Sequence, residues 1–323
     1  MKANLFITLA TTLSILAGCT NDDDQKIDNW NGEIRLSSGI AVQTRAGELK
    51  APDTQIAQGQ HVGVFIDEAS ENAATAIGAN LKYDADGNGG LTLATDPAQA
   101  SPYYPTSGNG VKIVAYKPYN ASAALTGDGY DFLVNADQSQ QIGNSESNYY
   151  NSDLLYSARE EAYARQAETH NLEFKHKLSK VVCTLVKGNG LDASALNGAT
   201  VSIVNAETKG TFKPSDGSFS TKTSTEGQQS DVKMNSTITS GSYIAVIPPQ
   251  TFTKDAKFLK VTLASEAVFY YKIPNGAGDN DLVLSEGNVY KYNIKVNLTG
   301  LTVTSSIAPW EGGDQATEGN AEM

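Results

Sequence analysis

Few side chains in this sequence are equipped for bond-making chemistry. Its 323 residues include three histidines, His61, His170 and His176, and two cysteines, Cys19 and Cys183. A structural zinc site needs four thiolate or imidazole ligands at short spacing, which these residues do not supply. Lys175-His176-Lys177 stands on a strand-like run with no carboxylate pair or second histidine beside it. His176 therefore reads as a surface or interface residue and not as a general base. Asp84-Ala85-Asp86-Gly87-Asn88-Gly89-Gly90 starts like a calcium loop, but the position where a bidentate Glu is required is Thr95, and no helices flank it. A Gly-rich turn between strands is the better reading. Gly108-Asn109-Gly110 and Gly188-Asn189-Gly190 are likewise turns, since neither leads into a helix that could hold phosphate. The sequence contains no Gly-x-Ser-x-Gly, His-Glu-x-x-His or phosphate loop. The residues predict no catalytic site, metal or cofactor, and point away from an enzyme.

Cys19 is the one side chain placed for a covalent reaction. Lys2 supplies a positive start, and Leu5 to Ala17 form an apolar run broken only by Thr and Ser. That run is too short to span a bilayer and suits a signal peptide over residues 1–18. It ends in Leu16-Ala17-Gly18-Cys19, which resembles a bacterial lipobox: small residues admit a peptidase, and the thiol takes the lipid. Cys19 is thus the expected lipidation site, and more than one acyl chain there would anchor the protein stably to the outer membrane. Thr20-Asn21-Asp22-Asp23-Asp24-Gln25 lacks any aliphatic residue and opens a polar tether over residues 19–32. Asp22, Asp23 and Asp24 resemble the acidic export signal that sends some Gram-negative lipoproteins to the cell surface. Cys183, within Val181-Val182-Cys183-Thr184-Leu185, reads as a buried strand thiol without a partner.

The elements around these positions read as strands. With 24 Lys+Arg against 36 Asp+Glu the net charge is −12, so a nucleic-acid partner is not expected. The length suits two domains. Runs rich in Val, Ile, Tyr, Phe and Thr recur between Gly, Asn, Asp and Pro clusters, among them residues 61–66, 111–116, 180–186, 200–204, 243–247, 258–263 and 289–298. This pattern predicts an all-β fold of antiparallel sandwiches. In the last run, Tyr290, Tyr292, Ile294, Val296 and Leu298 share one face. Ser157 to Thr169 has helix formers and a Ser-x-x-Glu start, and reads either as a helix or as a solvated connector. Asp192 to Asn197 suits one short turn of helix, and the composition shift at Glu168 to Asn171 marks the expected domain boundary. Tyr103-Tyr104, Tyr116, Tyr119, Tyr149-Tyr150 and Tyr270-Tyr271 divide between core and surface, or form stacking platforms for sugars or protein partners.

Taken together the segments resemble the fimbrillin (Mfa-like) family, lipoprotein pilins of Gram-negative anaerobes of gut and mouth. The landmarks are Tyr103-Tyr104-Pro105 with Val111 to Tyr119, Asp137-Gln138-Ser139 with Ser152 to Tyr156, Phe174 to Val181, Ile247-Pro248-Pro249-Gln250-Thr251, and Gly287 to Trp310. The resemblance implies two transthyretin-like β-sandwich domains, here residues 33–169 and 170–310, followed by a polar tail over 311–323. It also implies assembly into a fimbria by strand exchange. An arginine-specific surface protease removes the first strand, and a terminal strand of a neighbouring subunit fills the groove by β-augmentation. Until then the precursor strand covers an edge otherwise prone to aggregate.

The candidate precursor strand spans residues 33–45, with Ile34, Leu36, Ser38, Ile40 and Val42 on one face. Arg45, followed by Ala46, stands in a polar stretch where the resemblance places the cut; Arg35, inside the strand, is a poorer site. Leu301, Val303, Ser305 and Ile307 alternate with polar residues up to Trp310, and read as the last sandwich strand or as a donor. If they are needed at home, the subunit suits a tip or accessory position better than a stalk. The expected role is a surface-exported structural or tip subunit with a part in adhesion to a host or bacterial receptor. The rival is an outer-membrane glycan-binding lipoprotein, with a hydrolase as a distant third.

Overall fold

The computed structural model describes residues 30–40, 55–70, 75–142, 146–223, 225, 228–236, 242–310 and 319–321. Cys19, Asp22, Asp23, Asp24, Val42, Arg45 and Ala46 lie outside the described residues. The first half contains β1 (Leu36–Ile40), β2 (His61–Glu68), β3 (Ala76–Ala85), β4 (Leu91–Leu93) and β5 (Val111–Lys117). It continues with β6 (Tyr130–Leu133), β7 (Gln141–Ile142), β8 (Glu146–Ser147), α1 (Asn148–Ser152), β9 (Leu155–Ala158) and β10 (His170–His176). Then follow β11 (Ser179–Lys187), β12 (Thr200–Glu207), β13 (Lys209–Lys213), β14 (Ser218–Thr221), β15 (Gln229–Lys233) and β16 (Tyr243–Ile247). The chain ends with β17 (Gln250–Phe252), β18 (Lys257–Thr262), β19 (Val268–Lys272), β20 (Leu282–Leu284), β21 (Asn288–Asn297), β22 (Gly300–Pro309) and β23 (Gly319–Ala321).

The fold is all-β. A seven-stranded sheet runs β1-β10-β9-β5-β2-β3-β4, a five-stranded sheet β16-β11-β21-β22-β23, and a four-stranded sheet β15-β12-β18-β19. A smaller sheet runs β14-β13-β6, drawing β6 from the first half of the chain. Two pairings correct the purely antiparallel expectation: β1 runs parallel to β10, and β11 runs parallel to β21. Each joins segments far apart in sequence, and the intervening strands serve as the crossover that parallel pairing requires. The described residues from Gly32 onward belong to one compact unit. The expected boundary at Glu168 to Asn171 falls at the start of β10, which belongs to the seven-stranded sheet.

The five-stranded sheet is covered on both faces, and residue alternation assigns its side chains to two cores. Val181, Cys183, Ala245, Ile247, Tyr290, Tyr292 and Ile294 face one core, with Val201, Ile203, Phe258, Leu259 and Val261 of the four-stranded sheet. Val246, Ile244, Val289 and the partly buried Val182 face the other, with Phe65, Tyr116, Phe132 and Phe212. The second core is rich in rings: Tyr116 lies 6.1 Å from Phe65 and 6.0 Å from Phe212, and Tyr156 is 6.0 Å from Phe212. Cys183 is fully buried, and burial pushes its thiol pKa well up.

Ser157 to Thr169 is a connector and not a helix. Its first two residues finish β9, and Tyr163 then forms a bridge to Val111. The helix lies earlier, at α1, where the Ser147 hydroxyl accepts from the Tyr150 amide at 3.2 Å. The short turn foreseen near Asp192 is a 3₁₀ helix at Ala193–Leu196. Leu298 departs from the foreseen face: it follows β21 in the hairpin turn and is 65% exposed.

Candidate functional site

Residues 32–40 form the element on which the strand-removal expectation rests. Ile34, Leu36, Ser38 and Ile40 alternate inward and are all buried, as one face of a strand over a core requires. Burying the three aliphatic side chains contributes roughly 5–9 kcal/mol. One side of β1 pairs in parallel register with β10, from Leu36 opposite His170 to Ile40 opposite Phe174. The His170 amide donates to Arg35 O at 2.9 Å.

The opposite side is bonded as well. The Ile34 amide donates to Pro102 O at 2.9 Å, the Tyr104 amide to Gly32 O at 2.9 Å, and the Ser38 amide to Gly89 O at 2.7 Å. Gly89 belongs to the Asp-rich turn, whose Asp86 carboxylate accepts from the Asn88 and Gly90 amides at 2.7 and 2.9 Å. The carboxylate that resembled a calcium ligand instead fixes a loop against the first strand. No group of three or more metal-ligating side chains occurs among the described residues. β1 therefore sits in a groove walled by backbone on both sides.

The three described arginines surround this strand's base. Arg35 Nη1 donates to Ala167 O at 3.2 Å, Arg159 lies 4.5 Å over the Tyr163 ring, and Arg165 lies 5.6 Å over the Tyr104 ring. His170 is buried between Tyr104, whose hydroxyl it contacts, and Tyr163, 4.7 Å away. Burial lowers the His170 pKa, assisted by the Arg159 charge.

The C-terminal residues lie in a different sheet. β22 pairs with β21 along its whole length, from Gly300 opposite Asn297 to Pro309 opposite Asn288. Leu301 and Val303 are buried in the first core and Trp310 in the second, whereas Ile307 is 38% exposed. The strand crosses from one core to the other, so its inward face changes along its length. β23 pairs with β22 at Val303–Ser305. The structure thus places Leu301, Val303 and Trp310 as parts of their own fold.

His176 is corrected from surface to core. Its side chain is 1% exposed, and its Nδ1 lies 2.9 Å from Asp153 Oδ1. Its ring stacks on Trp310 with centroids 3.5 Å apart and planes 7° off parallel. Lys180 Nζ stands 5.3 Å over the Trp310 ring, and Lys117 Nζ donates to Tyr150 O at 2.5 Å and Asp153 O at 3.3 Å. Burial would raise the Asp153 pKa, but the charges of His176, Lys117 and Lys180, with the His176 hydrogen bond, hold it below the carboxylate range. Burial lowers the Lys117 pKa to about 8, and the Asp153 charge only partly offsets it. This cluster was not legible in the sequence, because its members come from β5, the residue after α1, β10, β11 and the residue after β22.

The tyrosine pairs divide. Tyr103 and Tyr270 are exposed, while their neighbours Tyr104 and Tyr271 are buried with Tyr116 and Tyr149.

A family model described as fimbrillin-like matches residues 44–310, most of the chain, from one residue before Arg45 to Trp310. The chain belongs to the fimbrillin-like family. A curated Bacteroides uniformis protein, named as a candidate fimbrium subunit, is 27% identical over 329 residues and covers 100% of both chains. A crystal structure of a candidate cell adhesion protein from Bacteroides uniformis aligns with a TM-score of 0.62 at 23% identity, covering 87% of this chain and 100% of that one. A corresponding protein from Bacteroides ovatus gives a TM-score of 0.63 at 18% identity, covering 87% and 99%. These two likenesses bear on the fold. No helix among the described residues is long and apolar enough to cross a membrane.

Proposed function

We propose that this fimbrillin-like chain is a structural subunit of a surface fimbria with a part in adhesion, built to accept a strand from a neighbouring subunit. The observation that carries the reading is β1. It is bonded on both sides and buries its whole inward face, yet the connection to β2 runs through a polar stretch bearing Arg45. A cut after Arg45 would leave residues 32–40 held only by non-covalent contacts in a groove shaped for a strand. Arg35 has its carbonyl bonded to the His170 amide, which makes it the poorer site beside Arg45. Lipid on Cys19, exported with the help of Asp22 to Asp24, would hold the precursor at the outer membrane until then.

Leu301, Val303 and Trp310 support an accepting rather than donating role, since withdrawing β22 would open both cores. A tip or accessory position follows from that commitment. Limited digestion of the full chain with an arginine-specific protease tests the reading. The expected result is one early cut after Arg45, release of the preceding segment, and uptake of an added synthetic peptide of residues 30–42 into the emptied groove. A chain that stays uncut there, or keeps its first strand after cutting and binds polysaccharide instead, would sink it.

A further inference from the structure

We propose that the β1 groove selects its occupant by size at the centre: it takes branched or long apolar side chains at the seats of Ile34, Leu36 and Ile40, and only a small residue at the seat of Ser38. This rests on the strand-replacement reading above and names the partner it fits, an extended strand of a neighbouring subunit with that series on alternate residues, running parallel to β10.

Ser37-Ser38-Gly39 is a poor choice for a strand, because small residues lose more entropy and pack less surface than β-branched ones. The walls explain it. Ser38 faces inward between Leu36 and Ile40, and all three are more than nine-tenths buried. Its hydroxyl donates to Gly89 O at 3.4 Å and its amide to the same oxygen at 2.7 Å, so the backbone of the Gly89 loop stands against the Ser38 side chain itself. The Asp86 carboxylate pins that loop in place. On the outward side the Ser37 hydroxyl lies 3.4 Å from both His170 O and Asn171 Oδ1, and a Cβ on Gly39 would lie 3.4 Å from the Asn171 amide group. Of the three small residues, Ser38 is the one that is both buried and set against loop backbone.

A strand carrying Leu at the Ser38 seat must push the Gly89 loop away or shift by one residue, which would turn its whole apolar face outward. Leu301, Val303, Ser305 and Ile307 repeat the favoured series at the same spacing, but the first two already fill this chain's own core. The occupant is accordingly a strand from a different subunit.

The test digests the full chain after Arg45 and offers labelled synthetic peptides of residues 30–42 with the native sequence, Ser38→Ala or Ser38→Leu. The native and Ser38→Ala peptides should exchange in comparably, and Ser38→Leu should bind about tenfold more weakly or worse. Equal binding of the Ser38→Leu peptide overturns the size rule while leaving strand replacement intact. If no peptide displaces the resident strand, strand replacement itself fails, and the uncut chain decides the size rule. There Ser38→Ala should keep the melting temperature and Ser38→Leu should lower it by several degrees; equal melting overturns the rule.

Discussion

Trp310 ends the last long strand lying flat on the His176 imidazole, with the Lys180 ammonium above it and the Asp153 carboxylate behind the histidine. A buried indole in such a seat contributes through its area and through ring and cation contacts together. Trp310→Ala should therefore destabilise the protein by about 3–5 kcal/mol, read as a lower urea midpoint at unchanged slope. The lysine beneath has the opposite sign at neutral pH. The Lys117 pKa of about 8 in the folded chain lies below its ordinary 10.5, so between those values only the unfolded chain keeps the proton. Stability should rise with pH across that window. Relative to Lys117→Met, the native protein should gain on the order of 3 kcal/mol between pH 7 and pH 10.5, checked by urea unfolding at both pH values. Asp153 gives the same slope in the acid range. Its folded-state pKa is held low, so its contribution is present above the ordinary carboxylate value and lost as pH falls through the folded one.

Among the elements, β1 stands apart because its partners lie on both sides and far away in sequence. Arg35 is kept from a protease by that pairing, not by its identity. Leu36→Ala, which empties a buried seat at a cost of about 2–5 kcal/mol, should let β1 fray and expose a second cut after Arg35. Mass spectrometry of digests would show it as a new early fragment absent from the native chain. Strand β2 depends on a different restriction. A Cβ on Gly63 would stand 2.3 Å from the Tyr116 ring, which lies across the strand. Gly63→Ala should therefore cost about 1–3 kcal/mol through overpacking, visible as a lower melting temperature.

For the whole molecule, the decisive feature is a sheet whose two faces belong to two cores. Damage on one face should be felt on the other, because the same backbone ladders hold both. Ile247→Ala faces the first core and Val246→Ala the second, yet each should lower one shared unfolding transition. Scanning calorimetry would check this, with the calorimetric and van't Hoff enthalpies agreeing. Two separated transitions, each moved by only one of the substitutions, would show that the halves unfold independently.

The all-β class, most strand positions and the inward face of Ile34, Leu36, Ser38 and Ile40 were legible in the sequence, because alternation at a period of two is a local property that burial then enforces. The Asp84 to Gly90 segment could be read as a turn between strands on spacing alone. Its task as a wall against Ser38 could not, since a turn's sequence says nothing about which distant backbone it meets. Lys175-His176-Lys177 misled for the same reason: charged neighbours suggested solvent, while the fold turned the imidazole inward onto Asp153 and Trp310. Residues 301–310 were open to two readings in the sequence, and their pairing along β21 with Leu301, Val303 and Trp310 buried could not be read there. The sequence by itself determined the strands, because their alternation is set by neighbours along the chain. The tertiary structure decided which strand lies in a two-walled groove, which run parallel and where the buried charges meet, because those depend on contacts between residues more than a hundred positions apart.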